Sequence, residues 1–182
     1  TLIGITGTNG KTTTTLLTYQ ILKDAGLHVG MAGNIGNSFA LQVAETDFDF
    51  YVLELSSFQL DDIQDFAPHI AVITNITPDH LDRYNYQFEA YIQSKLKISE
   101  NQTEKDFLLF NAEDPVLINA LEKTTIKAEK IPLATVPQTT GVYAKENHIT
   151  IQRKNETTMI NAGQFSLSGR HNLLNAMAAS TI

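Results

Sequence analysis

The sequence contains no cysteine, which excludes a disulfide framework and any metal site built on thiolates. It has no apolar run long enough to cross a bilayer as a helix. Its opening residues, TLIGITGTNGK, lack the basic region and extended apolar stretch of a secretory signal. A cytoplasmic location is expected on these grounds. Basic residues are scarce: 13 Lys and Arg against 20 Asp and Glu give a formal net charge of -7. That balance argues against a general nucleic-acid binder, which needs a basic footprint. It leaves room for a small anionic ligand, because a local site can be positive on an acidic protein. No internal repeat, low-complexity tract or Gly, Pro or Ser cluster marks a linker within the chain. Neither a nucleic acid nor a membrane is expected as a partner.

What is present is a chain of 182 residues, 42% hydrophobic, enough for one domain with its own core. Short apolar runs alternate with helical patterns. Leu2 to Thr6 (LIGIT), Leu27 to Ala32, Phe50 to Leu55 (FYVLEL), Ile70 to Ile76 (IAVITNI) and Phe107 to Asn111 read as strands. Thr12 to Ala25 reads as a helix stopped by Gly26, with Leu16, Leu17, Ile21, Leu22 and Ala25 on one side. Phe88 to Ile98 and Asp114 to Lys123 read as further helices, the latter with Pro115 in its first turn. The fold class expected is α/β: a mostly parallel, P-loop-type sheet flanked by helices. Runs such as IAVIT are apolar throughout, as doubly buried strands should be. Near Gly141 the pattern changes. Val142 to Ala144, His148 to Gln152 and Thr157 to Ile160 predict a small antiparallel meander over residues 141–161. Its turns fall at Lys145-Glu146-Asn147 and Lys154-Asn155-Glu156. Arg170 to Ile182 reads as a final helix. The chain opens on a core strand and closes within a helical pattern, as a piece of a longer protein would.

Gly7-Thr8-Asn9-Gly10-Lys11-Thr12-Thr13 lies between a strand and a helix. Small residues there let backbone N–H groups turn toward a phosphate, and the helix N-terminus adds its positive dipole end. Lys11 can reach terminal phosphates and the Thr12 hydroxyl can bind Mg²⁺. The strict spacing G-x-x-x-x-G-K-[ST] is not met, because Ile5 occupies the first Gly position. The strand before and the helix after carry the reading instead; the bland alternative is a structural turn with a surface lysine. The threonines Thr12 to Thr15 are poor helix formers, so the helix start is set by the loop rather than by propensity.

In open parallel sheets, ligands sit outside the carboxyl ends of the strands. Here those ends carry Asn34, then Glu54, Ser56, Ser57 and Gln59, then Asn75, Thr77, Asp79 and His80. A carboxylate late in a buried strand is costly unless paired or metal-bound. Beside a phosphate loop, Mg²⁺ is the simplest partner for Glu54, because it prefers oxygen ligands. An ion pair with Lys or Arg is the alternative. His80 fits a functional role or a cap, and Asp79 and Asp82 fit turn or cap roles.

In order, GTNGKTT, the Glu after a buried strand, TPDHLDRY, YIQSKLKI and GRHNLLNAMAA resemble the Mur ligase central domain over essentially the whole chain. Ala32 to Gly36 (AGNIG) and Tyr51 to Leu60 (YVLELSSFQL) are similar to the branch that adds D-glutamate. Other branches add L-alanine, a diamino acid or D-Ala-D-Ala, and the folylpolyglutamate synthases are related; a non-catalytic nucleotide-binding module is the alternative of a different class. The resemblance implies ATP-dependent amide-bond formation between UDP-N-acetylmuramoyl-L-alanine and D-glutamate through an acyl phosphate, in peptidoglycan precursor synthesis. It implies ATP and two Mg²⁺ ions as cofactors. Catalytic roles would fall on Lys11, Glu54, His80 and Lys95. Nucleotide binding would fall on Gly7 through Thr13 (Gly7, Thr8, Asn9, Gly10, Lys11, Thr12, Thr13) and on Asn172 and Asn175. Asn34, Ser56, Gln59 and His80 would lie near the substrate. Thr12, Glu54, His80 and Lys95 as a carbamate would hold the metals. CO₂ adds only to a neutral amine, so such a site must lower the pKa of Lys95. Spacing alone would make Lys95 a solvated helix lysine. The resemblance also implies a monomer. It further implies an N-terminal UDP-binding domain and a C-terminal amino-acid-binding domain outside residues 1–182, and little turnover by this chain alone.

Overall fold

In the computed structural model the described residues are 1–153, 156–164 and 169–182. Among them nine strands form one sheet in the order β2-β3-β1-β4-β5-β6-β7-β8-β9. The strands are β1 (Leu2–Thr6), β2 (Val29–Gly33), β3 (Phe50–Glu54), β4 (Ile70–Ile73), β5 (Phe107–Asn111), β6 (Glu129–Ala134), β7 (Gly141–Lys145), β8 (His148–Arg153) and β9 (Glu156–Asn161). All neighbours from β2 to β7 pair in parallel. β7, β8 and β9 pair antiparallel, which is the meander expected near 141–161. Its turn at Lys154-Asn155 lies outside the described residues.

The helices are α1 (Lys11–Asp24), α2 (Phe39–Glu45), α3 (Ser57–Leu60), α4 (Phe88–Leu96), α5 (Pro115–Lys123) and α6 (Arg170–Thr181). Alternate strand residues face opposite sides of a sheet, and apolar side chains pack on each face. Ile3, Ile5, Val52, Val72 and Leu109 pack with Leu22 of α1 and with Leu174 and Met177 of α6. Ala71, Ile73 and Leu108 pack with Tyr91, Ile92 and Leu96 of α4 and with Leu117 and Leu121 of α5. Helices therefore cover both faces, and the parallel strands are apolar on both sides because both sides are buried.

Three elements go beyond the sequence reading: α2, α3 and β6. β6 contains Pro132, which argues against a strand on sequence alone. Pro132 precedes Leu133 and Ala134, the two residues of β6 that pair with β7, so its missing N–H lies outside that ladder. The face of α1 is a correction. Its buried residues are Thr14, Thr15, Thr18 and Leu22, whereas Leu16 is 46% exposed. The rotation of α1 is set at its first turn by the phosphate loop, and α6 packs along it closely. Small β-branched threonines fit that gap, and the Thr14 hydroxyl is satisfied by donating to the Gly10 carbonyl at 2.9 Å.

β1 lies between β3 and β4. The chain leaves β1 toward β2 and later returns to β4 on the other side, so the strand order reverses at β1. A crevice at such a reversal is where open α/β sheets bind ligands. Register sharpens this: Ile5 lies beside Glu54, and Thr6 lies beside Ile73. The residues following β1, β3 and β4 thus emerge together at one edge.

Candidate functional site

The loop after β1 turns at two glycines. Gly7 has φ +142°, and a Cβ there would run into the Thr74 hydroxyl. Gly10, the residue before α1, has φ +85° in the left-handed region, and a Cβ there would come within 2.6 Å of Asn175 Oδ1. Both positions favour glycine for conformation and for space. The first bond of α1 runs from Thr14 N–H to Gly10 O at 2.9 Å. The amides of Lys11, Thr12 and Thr13 precede it, so helix geometry gives them no intrahelical acceptor. Free amides at a helix start are suited to an anion.

Glu54 ends β3 and is 1% exposed. Thr12 Oγ1 donates to its Oε2 at 2.8 Å, and Asn34 Nδ2 donates to its Oε1 at 2.9 Å. The Asn34 amide also donates to the Glu54 carbonyl at 2.8 Å. The ion pairs among the described residues do not include Glu54, so the Lys or Arg pairing considered from sequence is not formed. A buried carboxylate held only by neutral donors, one of them the hydroxyl after the loop lysine, is an oxygen-rich position suited to Mg²⁺.

Two lysines converge on one carbonyl. Lys11 Nζ donates to Gly7 O at 3.0 Å and to Thr8 O at 2.8 Å. Lys95 Nζ, on α4, donates to the same Gly7 O at 2.8 Å. Lys95 is 2% exposed, with its ammonium 4.6 Å from the centre of the Tyr91 ring. Burial first, and then the positive charge of Lys11, lower the Lys95 pKa to about 7, against an opposing pull from Asp79. Burial also lowers the Lys11 pKa, opposed by Glu54 and Asp79. The solvated-lysine reading of Lys95 is therefore overturned by its surroundings.

Thr8 Oγ1 donates to Thr77 O at 3.0 Å. Its single proton is then committed, so the 3.1 Å contact with Tyr91 has the phenol as donor. Burial pushes the Tyr91 pKa up. Beside the loop runs a cleft of about 650 Å³, lined by Asn9, Gly10 and Thr13 on one side and by Asn172 and Asn175 of α6 on another. Asn175 is 7% exposed.

A family model described as the Mur ligase middle domain matches residues 5–182. The chain belongs to this family. The UDP-N-acetylmuramoylalanine--D-glutamate ligase of Christiangramia forsetii is 49% identical over 182 residues, covering 100% of this chain and 41% of that protein. The ligase of the same name from Bacteroides fragilis is 47% identical over 178 residues, covering 98% of this chain and 40% of that protein. The chain thus spans about two fifths of the length of these curated relatives. Among solved structures, a UDP-N-acetylmuramoyl-L-alanyl-D-glutamate--2,6-diaminopimelate ligase aligns with a TM-score of 0.73 at 23% identity, covering 98% of this chain and 42% of that chain. The MurF ligase of Thermotoga maritima in complex with ADP aligns with a TM-score of 0.68 at 20% identity, covering 100% of this chain and 44% of that chain. At these identities the structures speak for the fold, which is that of the Mur ligase middle domain.

Within this Mur ligase fold, Lys11, Thr12, Glu54, Asn34 and Lys95 are gathered around the loop. His80 is not brought into contact with them. It is 65% exposed at the side chain, with Nε2 3.6 Å from Asp79 Oδ2. No group of three or more His, Cys, Asp or Glu side chains among the described residues is close enough to hold a metal. Ser56 caps α3 and Gln59 lies in its first turn: the Ser56 amide donates to Gln59 Oε1 at 2.9 Å, one of the two reciprocal bonds of a capping box. The sequence places Asp79 among the polar groups at the strand ends with a turn or cap role, and assigns Tyr91 no role. Asp79 acts electrostatically on Lys11, Lys95 and Tyr91. Its place after the β4 strand end is the available signal; Tyr91 opens the YIQSKLKI motif, but its contact with Thr8 spans 83 residues and has no local signature.

Proposed function

We propose that this chain is the ATP-binding centre of a ligase that joins D-glutamate to UDP-N-acetylmuramoyl-L-alanine in peptidoglycan precursor synthesis. The observation that carries the reading is the unpaired, buried Glu54 beside Thr12 and the phosphate loop. Relatives at 47–49% identity that bear this activity in their names support the choice of substrates. In this reading a UDP-binding domain and an amino-acid-binding domain flank residues 1–182 in the full-length enzyme. The Thermotoga maritima ligase of the same fold is in complex with ADP, which supports a nucleotide as ligand; in this reading it occupies the cleft along α6, with Asn172 and Asn175 beside the base.

The residues fit a magnesium ion: Thr12 and Glu54 offer a hydroxyl and a carboxylate oxygen 2.8 Å apart, hard ligands of the kind Mg²⁺ takes. Thr12 and Glu54 would hold one ion, and Glu54, His80 and a Lys95 carbamate would hold a second. When bound, Mg²⁺ neutralises phosphate charge. The amides after Gly10 and the Lys11 ammonium grip the phosphates and keep the terminal one in line with the incoming carboxylate. A carboxylate oxygen of the alanyl group attacks the γ-phosphorus, the bond to the ADP oxygen breaks, and an acyl phosphate forms. The D-glutamate amine then attacks the carbonyl carbon and loses a proton, and phosphate leaves. The test is amino-acid-dependent ADP release by the full-length enzyme with ATP and UDP-N-acetylmuramoyl-L-alanine. D-Glutamate should support it, and L-alanine and diaminopimelate should not. Equal release with all three would discard the substrate assignment.

Lys95 carbamoylation has its own check. With its pKa lowered to about 7 by burial and by Lys11, Lys95 holds a far larger share of neutral amine at pH 7 than an ordinary lysine does. The amine adds CO₂, forming an N–C bond and releasing one proton. Full-length enzyme equilibrated with ¹³C-bicarbonate should show a carbamate carbon resonance that is absent from Lys95→Arg. The resonance should weaken as pH falls below 7, because protonation removes the nucleophile. An identical spectrum for wild type and Lys95→Arg discards the modification.

A further inference from the structure

The end of β4 carries two polar residues, Thr74 and Asn75, that the reaction above does not use. Asn9 N–H donates to Asn75 Oδ1 at 2.9 Å, and Asn75 Nδ2 donates to Asn9 O at 2.8 Å. One side-chain amide thus pairs with both backbone groups of a single loop residue, as a neighbouring strand would. The Thr74 hydroxyl donates to the same Asn9 carbonyl at 2.6 Å. Thr8 N–H donates to the Asn75 carbonyl at 2.9 Å, and Thr77 N–H donates to Thr8 Oγ1 at 3.0 Å.

These bonds divide the loop into two parts. The amides of Thr8 and Asn9 are engaged by the β4 end, so they are not the ones directed at an anion. The amides of Lys11, Thr12 and Thr13 are left for it. The loop also turns at Gly7 and Gly10, both at positive φ. Glycine gives a loop the widest choice of backbone conformations, and an unpinned loop must be ordered at the moment of binding. The segment following β4 supplies the pinning from across the crevice.

We propose that Asn75 is a positioning residue for the nucleotide. It fixes the crest of the phosphate loop through both backbone groups of Asn9, so that the amides after Gly10 converge on one phosphate without reorganisation. The inference rests on the nucleotide-dependent reaction proposed above.

The test compares wild type, Asn75→Ala and Asn75→Asp in the full-length enzyme. Ala removes both bonds. Asp keeps the acceptor for Asn9 N–H, loses the donor and sets a carboxylate against the Asn9 carbonyl. Losing both backbone-directed bonds predicts a rise of about 10- to 100-fold in the KM for ATP in Asn75→Ala, and losing the donor while facing a carboxylate to the Asn9 carbonyl predicts a rise of about 10-fold in Asn75→Asp. The KM values for D-glutamate and for the UDP-sugar substrate should stay within about twofold of wild type. An ATP KM within twofold of wild type in a folded variant overturns the proposal. So does a parallel worsening of all three KM values together with a lower melting temperature, which would mark a merely structural residue. Calorimetric titration with Mg-ATP alone separates the two readings. If wild type binds Mg-ATP but ligates nothing, the proposed reaction fails while the Asn75 comparison still stands. Equal Mg-ATP affinity in wild type and both variants overturns the role of Asn75 itself.

Discussion

Lys11→Ala in the full-length enzyme lowers kcat/KM for ATP by roughly 10²–10³-fold, the usual loss when one preorganised donor to developing charge is removed. The ammonium is held by two carbonyls of its own loop, Gly7 O and Thr8 O, and by no carboxylate within bonding distance. Exchanging neutral carbonyl partners for phosphate oxygens is a gain in charge pairing, because hydrogen bonds to ionised acceptors are the stronger ones. Lys11 is thus parked rather than committed. The same argument predicts a mild effect on stability, since solvent can reach a half-buried loop and replace Nζ at both carbonyls. Lys11→Arg should not restore activity, because the guanidinium is planar and larger than the point charge it replaces. Steady-state kinetics with a melting curve on each variant decides the matter. More than a tenth of wild-type kcat/KM in Lys11→Ala would remove Lys11 from the phosphate grip.

How much of this was legible beforehand follows from what each signal depends on. The five apolar runs from LIGIT to Phe107–Asn111 are core strands because burial on both faces demands apolar residues at every position, and that demand is written locally. The phosphate loop was legible for a similar reason, since glycines and a lysine between a strand and a helix have a local meaning. The rotation of α1 was not legible. Leucine at Leu16 argued for one buried face, while the helix was turned by its attachment at Gly10 so that threonines went inside. Lys95 is the clearest case. Its helix reads as an ordinary amphipathic segment, and only its packing under Gly7, 88 residues away in sequence, buries the amine. Tyr91 and Thr74 belong with it, and so do the partners of Asn75 and Asp79, whose place at a strand end was legible: no local pattern encodes which loop residues lie opposite across the switch point of the sheet. His80 is the opposite case. Its motif singles it out, while its side chain stands exposed beside Asp79.

Glu54→Gln lowers kcat in the full-length enzyme by about 10³-fold or more, equivalent to about 4 kcal/mol of transition-state stabilisation, and leaves the fold intact. The substitution keeps the shape of the side chain. The amide oxygen can still accept from Asn34 Nδ2, and the Thr12 hydroxyl can rotate to accept from the new NH₂ group, so both bonds at Glu54 have a neutral counterpart. Only the charge is lost. A buried carboxylate with no cation at bonding distance is expensive to keep, by several kcal/mol per ion, and the longer-range pull of Lys11 offsets only part of that. If Glu54 were merely structural, removing that charge would therefore raise the melting temperature and leave turnover near wild type. If its charge serves to hold Mg²⁺ beside Thr12, the melting temperature still holds or rises while kcat collapses and the Mg²⁺ concentration giving half-maximal rate increases. The two accounts agree on stability and part on kinetics, so the deciding measurement is kcat across a Mg²⁺ titration. A variant that keeps kcat within tenfold of wild type at saturating Mg²⁺ would return Glu54 to the scaffold.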